Sequence, residues 1–521
     1  MSEIKTFKFN KDNFDNIRDY KYGSNWPVVY LLQNKKEMYI GETVNAFGRS
    51  KQHYENEDRA RLTTIHIVSD EEYNKSAALD IESWLIQYIS AEGSFKLQNG
   101  NRGLRNSNYY DREKYKSKFE VIWKKLREMS IVKKDLVRIK NTDLFKYSPY
   151  KSLTDEQISV VIDIFRNIKS IPEQIHIVNG RPGTGKTILA VYLMKYLTEH
   201  KDTKHLNIAM VVPMTSLRKT IRKVFKNTEG LNSKMVLGPS DVIKEKYDVL
   251  LIDEAHRLKQ RRNITNYFSF DNTNKALNLD KTGTELDWIL KSSRHQIFFY
   301  DEKQSIRPSD IHPSVFDNLS AQHYELTSQM RVEAGSQYIN FIEDLFDMNI
   351  RKEYSFENYN FKIYDHIHAM VDDIKKRDSE AGLSRMVAGY AWPWYTAKGI
   401  QEFDIEIDGL KLVWNRTNQD WVNSKGAIDE VGCIHTVQGY DLNYVGVIIG
   451  PELSYNPQTN KLVINPDEYY DANGKRSITD PEELERYIIN IYKTLMTRGI
   501  KGTYLYICDI HLREYFKKHI K

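Results

Sequence analysis

Two cysteines in 521 residues, Cys433 and Cys508, are too few and too far apart for a disulfide framework or a zinc site. They read as core thiols of a protein kept in a reducing cytoplasm. No run of eighteen or more apolar residues occurs, so no transmembrane helix and no membrane partner are expected. The opening MSEIKTFKFNKDNF is polar and mixed in charge, unlike a secretory signal. Internal repeats and low-complexity tracts are also lacking. Nor does one charge dominate: 76 Lys+Arg stand against 71 Asp+Glu, net +5.

The distribution of charge says more than its sum. Residues 1–150 hold 27 basic and 21 acidic residues, net +6, which leaves the other 371 near −1. Within 101–150 the count is 14 to 6, and the basic residues include Arg102, Arg105, Arg112, Lys114, Lys116, Lys118, Lys124, Lys125, Lys133 and Lys134. Such a run is either a solvated helix face or a contact to a phosphate backbone. The length itself exceeds one hydrophobic core and predicts three or four units of domain size.

Periodicity places the elements. VVYLLQ (28–33) and MYIGE (38–42) are short β-rich runs split by the polar turn Asn34–Glu37. A helical spacing follows over 71–91, and NGNRG at 99–103 is a loop signal. Residues 109–140 read as helical and basic. From 150 the pattern changes. LTDEQISVVIDIF is a helix with Thr154 as a candidate N-cap. Apolar strands at 175–180, 207–213, 248–254 and 296–302 then alternate with helices, the signature of a parallel sheet covered on both faces. A second α/β unit begins after about 323, with strands at 444–450 and 503–509 and a helix at 481–497. The Pro-, Asn- and Asp-rich tract 451–480 reads as an exposed insertion or long hairpin.

One motif is specific. Gly180-Arg181-Pro182-Gly183-Thr184-Gly185-Lys186-Thr187 fits GxxxxGK[ST] between a strand and a helix. Gly183, Thr184 and Gly185 let backbone N–H groups surround phosphate oxygens, with the helix N-terminus behind them. Lys186 would reach the β- and γ-phosphates of ATP, and Thr187 would hold Mg²⁺. DVLLIDEAH then places Asp253 and Glu254 at the end of a buried strand, where ligands of open α/β sheets bind. Asp253 would act on Mg²⁺ through water and Glu254 on the attacking water.

Together these segments resemble a superfamily 1 helicase core, closest to the Schlafen group 3-like helicase domains, over about 150–521. The resemblance implies that Gln157 reads adenine. It puts Thr215 and Ser216 against the nucleic-acid backbone and makes Asp301 and Gln304 the couplers of γ-phosphate to the bound strand. Arg331 and Arg498 would grip the γ-phosphate from the second lobe, and Gln438 and Gly439 of HTVQGYD (435–441) would lie near the cleft. Tyr300 stands where the family has glycine, and Asp441 where it commonly has glutamate.

The first 100 residues resemble a GIY-YIG nuclease domain, with Val28-Val29-Tyr30, Tyr39-Ile40-Gly41, Thr43, Arg49, His53, Glu82 and Asn99 in order. Val28 replaces the first glycine of the signature. Chemistry adds its own argument. Two tyrosines on neighbouring strands can orient and deprotonate a water, and Arg49 can pair with a scissile phosphate. Glu82 falls on an otherwise apolar helix face with Ala78, Leu85 and Ile89. A carboxylate there needs a partner, either a Mg²⁺ (or Mn²⁺) ion or an arginine.

The expected class is therefore α/β: a small α+β GIY-YIG nuclease domain (1–105), a basic helical connector (106–150) and two RecA-like P-loop α/β domains (151–322 and 323–521). The expected activity is an ATP-dependent nuclease–helicase acting on nucleic acid, DNA before RNA, in anti-phage defence or DNA repair. The rivals are an ATP-gated nuclease without unwinding, and a helicase or binding protein whose N-terminal domain only recognises nucleic acid.

Overall fold

The structure, a computed structural model, describes residues 2–99, 112–350, 352–417, 420–476 and 478–520. Arg102, Arg105 and most of the loop signal at 99–103 lie outside the described residues, as does the side chain of Arg112. Two compact units form, one from Met1–Phe165, Ile188–His205 and Ile221–Met235, the other from Arg166–Thr187, Leu206–Thr220 and Val236–Lys521.

In the first unit β1 (Glu3–Lys8), β2 (Val28–Gln33), β3 (Glu37–Thr43), β4 (Thr64–Ser69) and β5 (Lys96–Leu97) make one sheet, ordered β1-β4-β2-β3-β5. Asn34 sets the β2–β3 turn: its side chain accepts from the N–H groups of Lys36 and Glu37 at 2.9 and 2.8 Å. The hairpin pairs Tyr30 with Gly41 and Leu32 with Tyr39. Period-2 alternation then puts both tyrosines on one face. Helix Lys75–Glu92 is started by Asn74, whose side chain accepts from the Ala77 N–H, and stopped by Gly93 at φ +81°. It lays Ala78, Ile81, Leu85 and Ile89 against Val29, Leu31, Met38 and Ile40 on the opposite face of the sheet.

The segment expected as a connector is part of this core. Helix Arg112–Glu128 buries Phe119, Ile122, Trp123 and Leu126 in the same cluster as Leu85 and Ile89. Each such side chain contributes roughly 2 kcal/mol, more than a surface charge pair at about 0.5 kcal/mol, so the apolar stripe decides where the helix lies. Several of its charges are spent locally. Lys114 and Lys118 pair with Glu72, Lys118 also with Asp70, and Lys116 with Glu113. Lys125 and Lys134 donate to the carbonyls of Ser2 and Glu92. The run therefore offers fewer unpaired cations than its count suggests.

The second unit holds two parallel sheets. The first contains β6 (Gln174–Gly180), β7 (Ile208–Val211), β8 (Val236–Leu237), β9 (Tyr247–Ile252), β10 (Ser293–Tyr300) and β11 (Ala321–Leu326), ordered β11-β6-β10-β9-β7-β8. The second contains β12 (Asn360–Tyr364), β13 (Ser384–Ala388), β14 (Ile405–Ile407), β15 (Leu410–Trp414), β16 (Glu430–Cys433), β17 (Leu442–Ile449) and β20 (Gly499–Ile507). Its order is β12-β20-β17-β13-β16-β15-β14, and β14–β15 is its one antiparallel pair among the described residues. Between β17 and β20 in sequence, β18 (Leu453–Asn456) and β19 (Lys461–Ile464) form a hairpin inside the tract expected to be one. The expected boundary at 322/323 is corrected: β11 pairs in parallel with β6 from Ala321 to Leu326, so the first sheet runs past it. Among the described residues no helix is long and apolar enough to cross a membrane.

Candidate functional site

β6 ends at Gly180, and the loop turns through Gly183 (φ +87°) and Gly185 (φ +80°) into helix Lys186–Glu199. Gly183 is required twice. Its φ is left-handed, and a Cβ there would lie 2.1 Å from Gln329 Oε1. That close approach is used: Gln329 Nε2 donates to Pro182 O at 2.7 Å, and the Met330 N–H donates to Gly183 O at 2.8 Å. Segment 329–331 thereby lies on the phosphate loop and brings Arg331 to it. Lys186 is buried; its ammonium donates to the Gly180 and Arg181 carbonyls and lies 3.4 Å from Asp301 Oδ2. Thr184 is buried beside it, its hydroxyl donating to Arg181 O at 3.0 Å.

Asp253 and Glu254 follow β9. Asp253 is 1 % exposed, and neither of its carboxylate oxygens has a hydrogen-bond partner. Burial, and then the charge of Glu254, push its carboxyl up. A buried acid with both oxygens orphaned fits a group that a cation completes. The Lys186 ammonium and the N–H groups of a glycine-rich loop fit the phosphates such a cation would accompany. Glu254 adopts φ +51°, a conformation costly for a non-glycine residue and concentrated at functional sites. Burial opposes its charge, but His256 Nε2 at 3.0 Å and Lys186 bring its carboxyl down.

Two arginines from beyond the first sheet lie at this loop, Arg331 just after β11 and Arg498 just before β20. Arg498 is 1 % exposed, and its Nη2 donates to Gln304 Oε1 at 3.0 Å. Gln304 Nε2 donates to Asp301 Oδ2 at 2.6 Å, and Asp301 faces Lys186. Arg498, Gln304, Asp301 and Lys186 thus form a continuous polar chain from β20 to the phosphate loop. Arg331 pairs with Asp441 at 2.5 Å, so the aspartate that replaces the usual glutamate has a defined partner. Tyr300, the other departure, packs its ring on Phe316 at 4.4 Å and leaves Asp301 free for this chain.

Thr215 and Ser216 open helix Thr215–Lys226 and line a cavity of about 380 Å³ with Arg257, Arg307, Tyr390, Trp394 and His435. Gln438 also borders it, with both side-chain polar atoms buried and unpartnered. Gly439 holds φ +90° nearby. Cations beside aromatic rings suit phosphates and bases of a single strand. Gln157 belongs to the first unit, where it closes a capping box with Thr154: Thr154 N donates to Gln157 Oε1 at 3.1 Å and Gln157 N to Thr154 Oγ1 at 3.2 Å.

In the first unit Tyr30, Tyr39, Arg49 and His53 converge. Gly41 makes this possible, because a Cβ there would lie 2.3 Å from the Tyr30 hydroxyl. Tyr30 Oη lies 2.7 Å from His53 Nε2 and receives Arg49 Nε at 3.4 Å. The Tyr39 and His53 rings are 5.0 Å apart. Burial raises the Tyr30 hydroxyl's pKa. Burial, then Arg59 and Arg49, lower the His53 imidazole to about 3. Glu82 lies within electrostatic reach of this cluster: its charge adds to the rise at Tyr30, and Arg49 favours its carboxylate. It projects from helix Lys75–Glu92 beside Glu42, whose carboxylate pairs with Lys75. Burial, then Glu42, push Glu82 up to about 7, with Lys75 and Arg49 opposing. Glu82 has no arginine salt bridge among the described residues; the Glu42 backbone N–H and the nearby Lys75 and Arg49 charges offset only part of its burial cost, and a bound cation fits the remainder. Asn99 serves the backbone, its side chain bonding both the N–H and the C=O of Ile40.

Sequence reasoning missed Gln329, Arg257, Arg307, Tyr390, Trp394 and Arg59. The run Tyr390-Ala391-Trp392-Pro393-Trp394, one residue after β13, was a usable signal, since aromatic residues near a strand end suit base stacking. Nothing marked Arg59.

A protein-family model described as Schlafen group 3, DNA/RNA helicase domain, matches residues 173–509. An uncharacterized protein of Saccharomyces cerevisiae is 26% identical over 388 residues, which cover 65% of this chain and 82% of that protein. A solved structure of two coordinating Pif1 helicases unwinding forked duplex DNA matches over 68% of this chain and 92% of its own, at 11% identity and a TM-score of 0.28. A Pif1 helicase from Bacteroides with ADP-AlF3 and single-stranded DNA matches over 67% and 92%, at 10% identity and a TM-score of 0.29.

Proposed function

The chain belongs to the Schlafen group 3 DNA/RNA helicase domain family, and on that premise we propose an ATP-driven motor on single-stranded nucleic acid that carries a GIY-YIG-type endonuclease in its first 100 residues. The observation that carries the motor is the chain Arg498–Gln304–Asp301–Lys186, which joins the second sheet to the phosphate loop. ATP held at Gly183–Thr187 would present its γ-phosphate to Lys186, Arg331 and Arg498. The two arginines reach it from segments beyond the first sheet, so binding and loss of that charge would close and release the cleft. The cavity of Thr215, Arg257, Arg307 and Trp394 would hold the strand, and Gln304 and Gln438 would report nucleotide state to it.

Mg²⁺, when bound beside Thr187 and Asp253, supplies charge neutralisation at the phosphates. Glu254 would orient the attacking water from its left-handed turn. In the nuclease reading Tyr30 and Tyr39 orient a water, Arg49 pairs with the scissile phosphate, and Glu82 is the carboxylate for Mg²⁺ or Mn²⁺. DNA is the substrate proposed for both activities.

The test is purified full chain with supercoiled, linear and forked DNA, and with RNA of matching sequence. Glu82→Ala and Lys186→Ala run beside the wild type, each with and without ATP. The expected result is strand-stimulated ATP hydrolysis and unwinding that Lys186→Ala abolishes, and DNA cleavage that Glu82→Ala abolishes. Hydrolysis without unwinding would replace the motor by an ATP-gated nuclease. No cleavage of either nucleic acid by wild type would end the nuclease reading.

A further inference from the structure

Arg59, on the short helix Glu57–Ala60, touches two residues of the tyrosine cluster without being one of its expected members. Its Nη1 lies 2.8 Å from His53 Nδ1, and its guanidinium carbon lies 3.8 Å from the centre of the Tyr39 ring. From this geometry we infer that Arg59 is a positioning residue: it holds His53 in the neutral tautomer with the proton on Nε2, so that His53 donates to the Tyr30 oxygen and does not act as a base toward it.

The argument is one of hydrogen-bond direction. A guanidinium has five N–H donors and no acceptor. His53 Nδ1 can therefore only accept from it. A proton on Nδ1 would set donor against donor at 2.8 Å, which rules out both the other neutral tautomer and the imidazolium. With Nδ1 bare, the ring proton sits on Nε2 and points at Tyr30 Oη, 2.7 Å away. The charged and titratable groups facing the ring are Arg59 and Arg49, both cations, and the hydroxyls of Tyr30 and Tyr39. Among the described residues no carboxylate acts on it to favour the imidazolium.

The consequence lies at Tyr30. Its oxygen already receives His53 Nε2–H and Arg49 Nε–H, so its own hydroxyl proton must point elsewhere. When that proton leaves to a water, the phenolate oxygen keeps two donors and one full positive charge beside it. Tyr30, not His53, is then the group that can take a proton from a nucleophilic water. This kinetic consequence rests on the nuclease reading; the tautomer does not.

The experiment uses the full chain carrying ring-¹³C,¹⁵N-labelled histidine, with His53→Asn identifying the His53 signals. In the wild type, His53 should show the Nε2–H pattern and stay unchanged between pH 5 and 8. In Arg59→Met it should titrate within that range and populate the Nδ1–H form. Arg59→Lys, which restores a donor cation, should return the wild-type pattern. A Nδ1–H pattern in the wild type, or an unchanged His53 in a folded Arg59→Met, would overturn the inference. Should Arg59→Met fail to fold, the wild-type pattern together with Arg59→Lys still decides it. Where cleavage is present, Arg59→Met should lower it by up to about 10²-fold, as a misplacement of about 1 Å in a site does, and the loss should depend on pH between 5 and 7. Absence of cleavage in every variant would reject the nuclease reading and leave the ring measurement standing.

Discussion

The two candidate sites are built on opposite plans. In the tyrosine cluster the polar groups bond one another: Tyr30 to His53 and Arg49, His53 to Arg59. At the phosphate loop, Lys186, Asp301, Gln304 and Arg498 bond in series, yet both oxygens of Asp253 stay unpartnered, as does the amide of Gln438 in the neighbouring cavity. The first site is set before any ligand arrives; the second holds polar atoms that a ligand must satisfy. Both depend on a glycine that admits a neighbour, Gly41 to Tyr30 and Gly183 to Gln329. A self-satisfied site keeps its geometry through a cycle, which suits cutting. An unsatisfied one changes when its ligand comes and goes, which suits a motor.

The largest effect should fall on the unsatisfied site. Arg498→Ala removes a cation that stabilises developing γ-phosphate charge, and kcat for ATP hydrolysis should drop by about 10³ or more. Phosphate release under saturating ATP and single-stranded DNA measures it. A drop below tenfold would show that the Arg498–Gln304 contact is only structural. Next come the two glycines as a crossed pair. Gly41→Ala pushes a methyl into Tyr30 and should cost cleavage about 10²-fold while sparing ATP hydrolysis, since a displacement of about 1 Å is enough for that. Gly183→Ala should do the reverse. If each variant damaged both activities equally, the sites would not be separable in the way their bonding implies.

A smaller effect tests the cost of buried acids. Glu452 bonds Tyr492 through one oxygen and leaves the other unpartnered, and burial pushes its carboxyl up to about 7. Unfolded, it would titrate near the ordinary glutamate value. Between roughly pH 4.5 and 7 the folded protein then holds a proton that the unfolded chain has released, and stability falls as pH rises through that window. Glu452→Gln should flatten this slope, by on the order of 2 kcal/mol across the window. Melting temperatures at pH 5 and 7.5, for both forms, check it. Glu82 carries the same sign in the other region, so Glu82→Gln should flatten the metal-free slope as well.

What the sequence showed follows from where its physics is local. The phosphate loop, the strand before it and the helix Lys186–Glu199 were legible, because glycine spacing and apolar runs act over a few residues. β4 was not, since it pairs with β1 and β2 across the chain and its run is interrupted by His66. The helix Arg112–Glu128 was read by its charge, while Phe119, Ile122 and Trp123 decided its place. Arg59 was invisible because its role is set by an imidazole nitrogen and a neighbouring ring, which no spacing announces. Glu82 was legible as a carboxylate on an apolar helix face, but its neighbour Glu42, which comes from the sheet, was not.

The smallest effect separates a local role of Thr154 and Gln157 from a functional one. Their capping box supplies two hydrogen bonds to helix Asp155–Ser170. Thr154→Ala removes the hydroxyl that accepts from Gln157 N and should cost about 1 kcal/mol, seen as a melting shift of roughly 2 °C. It keeps the Gln157 side chain, so KM for ATP should hold if that amide reads adenine independently of the cap. Gln157→Ala loses both, and its KM for ATP should rise against the KM for a pyrimidine triphosphate. Equal KM values for the two nucleotides in wild type would mean that the glutamine caps the helix and reads no base. The resemblance would then have lent it a role that Thr154 alone explains.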